Sequence, residues 1–131
     1  MKKAITSQNA PLPIGPYSHG NLVPASGNML FVSGQVAKDA KTGELILGDI
    51  KSETKKVMQN VNAVLTEGGM DFTHVVKTTI FLTDMKHFAE VNEVYGSFFT
   101  GNFPARETVA VKGLPLGVNI EISVKIGRAH V

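Results

Sequence analysis

Apolar residues along this 131-residue chain alternate between the spacing of a strand and the spacing of a helix, and this alternation restricts the fold more than any other feature. Short runs rich in β-branched and apolar residues predict four strands, over 29–36, 75–82, 108–111 and 118–126. Within the second of these strands we expect one apolar face. That face would carry Val76, Thr78, Ile80 and Leu82.

Two segments between these strands predict helices. The first begins after Asp49, a favourable N-cap residue, and ends at Gly68-Gly69. The second starts near Thr83 or Asp84 and ends before Pro104, because proline disfavours a helical residue before it. Its apolar face would carry Phe88, Val91, Tyr95 and Phe98. The order of elements predicts an α+β or α/β layer with both helices on one face of a single sheet.

A sheet that is covered by helices on one side leaves its other side without a partner. The strand over 75–82 is apolar on more than one side, so we expect the chain to associate with copies of itself. Self-association bears on function because clefts between subunits can hold active sites.

Composition narrows the class of protein. The 43% hydrophobic and 18% charged content is typical of a compact globular domain, and the length suits one domain. The net charge of +2 and the lack of long Lys/Arg runs argue against a nucleic-acid partner. The chain has no cysteine, no apolar leader at its start and no run long enough to cross a bilayer. We therefore expect a soluble cytoplasmic protein with no membrane partner.

Two charged residues near the C-terminus are the first candidates for chemistry. Arg106 follows Phe103-Pro104-Ala105, and a guanidinium can bind a carboxylate through two parallel hydrogen bonds. Glu121 lies between two isoleucines in a strand, where a carboxylate is costly unless it has a partner or a task. The alternatives are a surface arginine at a strand start and a solvent-facing glutamate, and for Glu121 the pattern alone favours the alternative.

Other candidate residues are weaker. Tyr17 lies in a rigid Gly-Pro turn, where it can serve a site or pack on the core. Ser33 and Gly34 offer a hydroxyl and an accessible backbone at a strand end, or form a simple bulge. The four histidines, at 19, 74, 87 and 130, lack metal-ligand spacing, and no phosphate-binding loop is present. We therefore expect neither a metal nor a cofactor.

Six motifs follow one another along the chain. They are Ile14-Gly15-Pro16-Tyr17-Ser18, Val32-Ser33-Gly34-Gln35, Val76-Lys77-Thr78-Thr79-Ile80-Phe81, Val91-Asn92-Glu93-Val94-Tyr95, Phe103-Pro104-Ala105-Arg106 and Ile120-Glu121-Ile122. In this order and spacing they resemble the reactive intermediate deaminase family of the YjgF/YER057c type, and most closely its RidA branch. The resemblance runs from Ala10-Pro11 to Ile126, so we expect a RidA-like domain over 1–126 and a tail of doubtful origin over 127–131.

The resemblance implies a chorismate-mutase-like α+β fold. It also implies a homotrimer whose sheets face a central barrel and whose clefts between subunits hold the sites. RidA proteins hydrolyse reactive 2-imino acids, such as 2-iminobutanoate and 2-iminopropanoate, to 2-oxo acids and ammonia. These imines arise when pyridoxal-phosphate dehydratases act on serine or threonine. The reaction needs no cofactor, and the small 2-imino or 2-oxo acid would lie in the cleft between subunits.

The resemblance also suggests roles for individual residues. Arg106 would bind the substrate carboxylate, and Glu121 would activate a water molecule and return its proton to the leaving amine. Tyr17 would assist catalysis, while the remaining positions would line the substrate pocket. These lining residues are Ser33, Gly34, Thr108, Phe88 and Asn92.

One departure from the family pattern lies beside the key arginine. Many RidA proteins have Ser-Cys after this arginine, whereas Glu107-Thr108 follow here. If strand alternation turns Glu107 to the opposite face it is harmless, and if it points inward it competes for the guanidinium.

A function from another class stays open on sequence grounds. The same pocket could bind 2-oxo acids or partners without turnover, as a sensor or a chaperone-like trimer. Some family members have been described as ribonucleases or translation inhibitors, but the weakly basic chain shows no phosphate track.

Overall fold

The computed structural model describes residues 2–24 and 27–128, which contain six strands and two α-helices. The strands are β1 (Lys3–Ile5), β2 (Gly20–Leu22), β3 (Asn28–Gln35), β4 (Val75–Leu82), β5 (Ala105–Ala110) and β6 (Ile120–Arg128). The helices are α1 (Ile50–Glu67) and α2 (Phe88–Gly96).

The main sheet has four strands in the order β3-β6-β4-β5. β6 is antiparallel to both of its neighbours, whereas β4 and β5 are parallel because α2 carries the chain back between them. Both helices contribute to the same hydrophobic core on one side of this sheet. The predicted α+β fold with two helices on one face is confirmed. β1 and β2 form a separate two-stranded sheet that the sequence patterns did not predict.

The two sides of the main sheet differ in chemistry. The side that packs on the helices, here called the helix face, is mostly buried and mostly apolar. It carries Val32, Thr78, Ile80, Leu82, Ile120, Ile122, Val124 and Ile126. The opposite side, here called the open face, mixes charged, polar and aromatic residues. It carries Phe31, Ser33, Lys77, Thr79, Phe81, Glu107, Glu121, Ser123 and Lys125.

An irregularity in β4 changes one predicted core residue. The pairing of β4 with β6 shifts register between Val75 and Lys77, so Val75 and Thr78 are both buried although they are three residues apart. Val75 rather than Val76 therefore joins Thr78, Ile80 and Leu82 in the core, and the prediction for Val76 was wrong. Strict alternation fails here because a bulge inserts an extra residue into one strand.

Several element boundaries also differ from those predicted. Asp84 caps a short 3-10 turn over 85–87 before α2 begins at Phe88. β5 begins at Ala105, three residues earlier than expected, because the parallel neighbour β4 supplies partners from Lys77 onwards. β6 extends to Arg128, so the first two residues of the predicted tail lie in the strand. The last three residues of the chain, 129–131, are outside the described residues.

The described helices are each too short or too polar to span a membrane. The N-terminal sheet is linked to the main sheet by the Lys2 ammonium group, which donates to the Val75 carbonyl oxygen at 2.6 Å. Burial of this ammonium lowers the pKa of Lys2 to about 8, because removal from water disfavours the charged form.

A buried carboxylate on α1 fixes the start of β6. Glu53 is only 1% exposed. Its two oxygens accept hydrogen bonds from the Asn119 backbone N–H at 2.8 Å and from the Asn119 side-chain amide at 2.9 Å. This pair of bonds gives both oxygens of the buried carboxylate a partner and holds the residue before β6 against the helix.

We expect the Glu53→Ala variant to lose about 2–3 kcal/mol in the free energy of unfolding, because two partly buried donors on Asn119 lose their acceptor. Glu53→Gln should lose less, since the Asn119 amide can turn to accept from the new amide. Denaturant unfolding measures both changes. The exposed Glu67→Gln on the same helix is the control, and a Glu53→Ala variant as stable as this control would contradict the assignment.

Candidate active site

Arg106 lies on β5 and points toward the helix side of the sheet. It is paired in register with Thr78 of β4, which is fully buried on the helix face. Aligned residues on neighbouring strands share a face, so Arg106 extends under α2 at the edge of the sheet. Its side chain is half-buried there.

Four residues surround the guanidinium. Nη1 of Arg106 donates a hydrogen bond of 2.7 Å to Oδ1 of Asn92. Cζ of Arg106 lies 5.5 Å from the ring centre of Tyr17, 5.8 Å from that of Phe88 and 5.3 Å from that of Tyr95. All three distances are within the range of cation–π attraction, so neutral groups replace part of the water shell. Burial still lowers the pKa of Arg106, because it disfavours the charged form.

One face of α2 supplies three of these neighbours. Phe88, Asn92 and Tyr95 are spaced by four and three residues, so they lie one above another on the same side of the helix. The sequence pattern assigned Tyr95 only to the core. Its helical spacing from Asn92 was the available signal that it also reaches the site.

Tyr95 is held in place by a hydrogen bond to β4. It is completely buried, and its hydroxyl donates to Oγ1 of Thr78 at 2.9 Å. Burial raises the pKa of the Tyr95 phenol well above its ordinary value. Thr78 is also the register partner of Arg106. Its hydrogen bond with Tyr95 therefore fixes the Tyr95 ring beside the position from which the Arg106 side chain extends.

Tyr17 reaches Arg106 because its loop packs on the same helix. The Ser18 backbone N–H donates to the Pro104 carbonyl oxygen at 3.0 Å, which joins this loop to the segment that precedes Arg106. Pro16 packs against Gly96 so closely that an added Cβ there would lie 3.3 Å from the proline ring. The two motifs are therefore adjacent in space although they are far apart in sequence.

Glu107 turns away from Arg106. It pairs in register with Thr79 on the open face and accepts a hydrogen bond from the Thr79 hydroxyl. Its other oxygen lies 2.6 Å from the Lys77 ammonium nitrogen. The hydrogen bond from Lys77, and then that from Thr79, lower the pKa of the Glu107 carboxyl below its ordinary value. Glu107 does not compete for the Arg106 guanidinium within the chain.

Glu121 lies on the open face beside Gly34. It is half-exposed, between two fully buried isoleucines, and pairs in register with Phe81. A Cβ at position 34 would clash with the Glu121 carboxylate in its observed conformation, so glycine at this position lets the side chain lie against β3. The pairing of β3 with β6 shifts between Val32 and Gln35, which confirms an irregularity at Ser33-Gly34.

Thr108 belongs to the Arg106 side of the sheet. It pairs in register with Ile80, which is fully buried on the helix face. Its hydroxyl oxygen is buried and has no hydrogen-bond partner among the described residues.

The predicted site residues thus form two groups on opposite faces of one sheet. Thr78 pairs with Arg106, and Phe81 pairs with Glu121. Thr78 and Phe81 are separated by an odd number of positions in a regular part of β4, so their side chains point in opposite directions. Arg106, Tyr17, Phe88, Asn92 and Thr108 lie on the helix side, whereas Glu121, Ser33 and Gly34 lie on the open side. Within one chain the two groups cannot contact the same small molecule.

The part of the chain that the structure describes holds no group of three His, Asp or Glu side chains able to bind a metal ion. Three histidines, at 19, 74 and 87, fall within these ranges, and the His130 prediction lies outside them. The candidate site as described consists of the Arg106 guanidinium with its four neighbours and, on the other face of the sheet, the Glu121 carboxylate.

Comparison with known proteins gives a consistent result. A family model described as Endoribonuclease L-PSP matches residues 7–126. The chain is 53% identical over 121 residues to Protein DfrA of Myxococcus xanthus, with 92% of each chain covered. It is 42% identical over 122 residues to the 2-iminobutanoate/2-iminopropanoate deaminase of Rattus norvegicus, covering 93% of this chain and 87% of the relative.

A solved structure is similar over nearly the whole chain. The crystal structure of TdcF from E. coli with bound serine matches with a TM-score of 0.74 and 36% identity. The match covers 97% of this chain and 99% of that one. Together with the family model and the relatives, this match shows that the chain belongs to the Endoribonuclease L-PSP family, which includes the YjgF and RidA proteins.

Proposed function

We propose that this protein hydrolyses 2-imino acids, such as 2-iminobutanoate and 2-iminopropanoate, to 2-oxo acids and ammonia. The observation that carries the proposal is the state of Arg106. It is half-buried and positively charged, and no carboxylate pairs with it among residues 2–24 and 27–128. A small organic acid would supply the missing negative charge through the bidentate geometry that guanidinium groups favour.

The carboxylate contact would place C2 of the substrate, which carries the C=N bond, next to the water-activating group. Glu121 accepts a proton from a water molecule while the water oxygen bonds to C2 and the C=N electron pair moves to nitrogen. Protonated Glu121 then donates to that nitrogen, which gives a carbinolamine. As ammonia leaves, Glu121 transfers the hydroxyl proton to the nitrogen and C2 becomes a carbonyl. The carboxylate ends in its starting form.

The mechanism requires a second copy of the chain, because Arg106 and Glu121 lie on opposite faces of the sheet. We propose a homotrimer in which Arg106 of one subunit meets Glu121 of the next. Large apolar groups on and beside the open face support this assembly, with Phe31 67% exposed and Met29 52% exposed. Burial of this face between subunits would bring Ser33, Gly34 and Glu121 to the edge of a neighbour. The shared cleft would hold the substrate, with Tyr17 and Ser33 orienting it.

Arg106→Ala should remove the acceleration of 2-oxobutanoate formation when the protein is added to a threonine dehydratase reaction. We expect a loss of ~100-fold or more, because the substrate loses its charged anchor. The exposed Lys112→Ala, which also removes a positive charge, is the control and should keep full activity. Acceleration by Arg106→Ala equal to that of the wild type would refute the proposed role.

Glu121→Gln keeps the size of the side chain but cannot take a proton from water. We expect kcat to fall by roughly 10²–10⁴-fold while binding of 2-oxobutanoate, measured by calorimetry, stays close to that of the wild type. If Glu121→Gln accelerates the reaction as well as the wild type does, the carboxylate is not catalytic, and a binding role without turnover becomes the better explanation.

Mixed assemblies test whether the site is shared between subunits. Arg106→Ala and Glu121→Gln chains, co-expressed with different tags, should recover activity although each is inactive alone. In each mixed trimer one of the three sites would combine an intact arginine with an intact glutamate from neighbouring chains, so about a third of the sites should be active after purification. Purification over both tags verifies mixing. Mixed assemblies that stay inactive would show that the two residues do not share a cleft.

Glu107→Gln tests the direction of the residue beside Arg106. Because Glu107 binds Lys77 and Thr79 on the open face, its neutral variant should bind 2-oxobutanoate within about twofold of the wild type. A Glu107 that competed for the guanidinium would instead give a variant with clearly tighter binding. Calorimetric titration distinguishes the two outcomes.

A further inference from the structure

The acidic residues nearest to the Arg106 site in sequence both pair with lysines. Glu107, adjacent to Arg106, lies 2.6 Å from the Lys77 nitrogen on the open face. Glu93, adjacent to Asn92, lies 2.5 Å from the Lys51 nitrogen on the exposed side of α2. Each carboxylate therefore has a cation of its own, and neither neutralises the guanidinium.

The group that does touch Arg106 is a neutral amide. Asn92 accepts one hydrogen bond from Nη1 at 2.7 Å, and the other close neighbours are the rings of Tyr17, Phe88 and Tyr95. A guanidinium has five N–H donors, so one bond to an amide fixes its plane and leaves the others for a ligand. An aspartate at position 92 would have nearly the same size and the same acceptor, but it would add a negative charge.

We propose that Asn92 is a positioning residue that orients Arg106 without neutralising it. It acts through Arg106 rather than through the substrate, and its amide is needed because a carboxylate in its place would compete with the incoming organic acid. This assignment deepens the proposed imine hydrolysis and rests on it for the nature of the acid. Asparagine and aspartate have nearly the same shape, but on this assignment they are not interchangeable at position 92.

Three variants test the assignment. Asn92→Asp should raise the dissociation constant for 2-oxobutanoate by at least ~10-fold, because its carboxylate forms an ion pair with Arg106 that the ligand must break. Asn92→Ala should also weaken binding, because the guanidinium is no longer held in one plane. Asn62→Asp, an exposed asparagine on α1, is the matched control and should bind as the wild type does.

The guanidinium resonances of Arg106 in nuclear magnetic resonance spectra of the free protein separate positioning from a general structural effect. The Nη1 signal should be distinct in the wild type and in Asn92→Asp, and it should merge with the other guanidinium signals in Asn92→Ala. Thermal unfolding should show all three variants folded. The assignment is overturned if Asn92→Asp binds 2-oxobutanoate like the wild type, or if Asn92→Ala keeps the distinct Nη1 signal.

Failure of the proposed function gives a different result. A wild-type protein that binds 2-oxobutanoate but does not accelerate imine hydrolysis would remove the enzymatic proposal, while the Asn92 variants would still follow the pattern above. A wild-type protein with no measurable affinity for 2-oxobutanoate would overturn both.

Discussion

The pairing of β4 with both β5 and β6 is the constraint on which the site depends. It sets Arg106 opposite Thr78 and Glu121 opposite Phe81. A slip of one residue in either ladder would move an entire set of buried side chains to the wrong face, so the hydrophobic core itself holds this register. The guanidinium and the carboxylate therefore stay on opposite faces of the sheet as long as the core is folded. This separation is the physical reason for proposing a site shared between chains.

The electrostatics of the site follow from the same register. Alternation along β5 sends Glu107 to the open face, where Lys77 and Thr79 bind it, and leaves Arg106 under α2 with an amide and three rings. Arg106 has no anionic partner within residues 2–24 and 27–128. A half-buried positive charge of this kind is costly for the folded chain, and an anionic ligand would offset that cost. The helix supplies the neutral groups because Phe88, Asn92 and Tyr95 recur at helical spacing.

Local patterns predicted most of the secondary structure. β4 was predicted with its observed ends, and the start of α1 at the residue after Asp49 and its end before Gly68 follow from capping chemistry. The burial of Val75 in place of Val76, the early start of β5 and the β1-β2 sheet were not predictable from those patterns. Each depends on a partner strand that is distant in sequence, and single-strand periodicity carries no information about such pairing.

By itself the sequence determined which chemical groups the candidate site contains: the guanidinium of Arg106, two residues after Pro104, and the carboxylate of Glu121, between two isoleucines. The family resemblance joined these two residues into one predicted site. Only the tertiary structure decided their arrangement, since residues aligned across strands share a face irrespective of their distance along the chain. It turned Glu107 away from Arg106, brought Tyr95 and Asn92 against the guanidinium, and separated Glu121 from it by the thickness of the sheet.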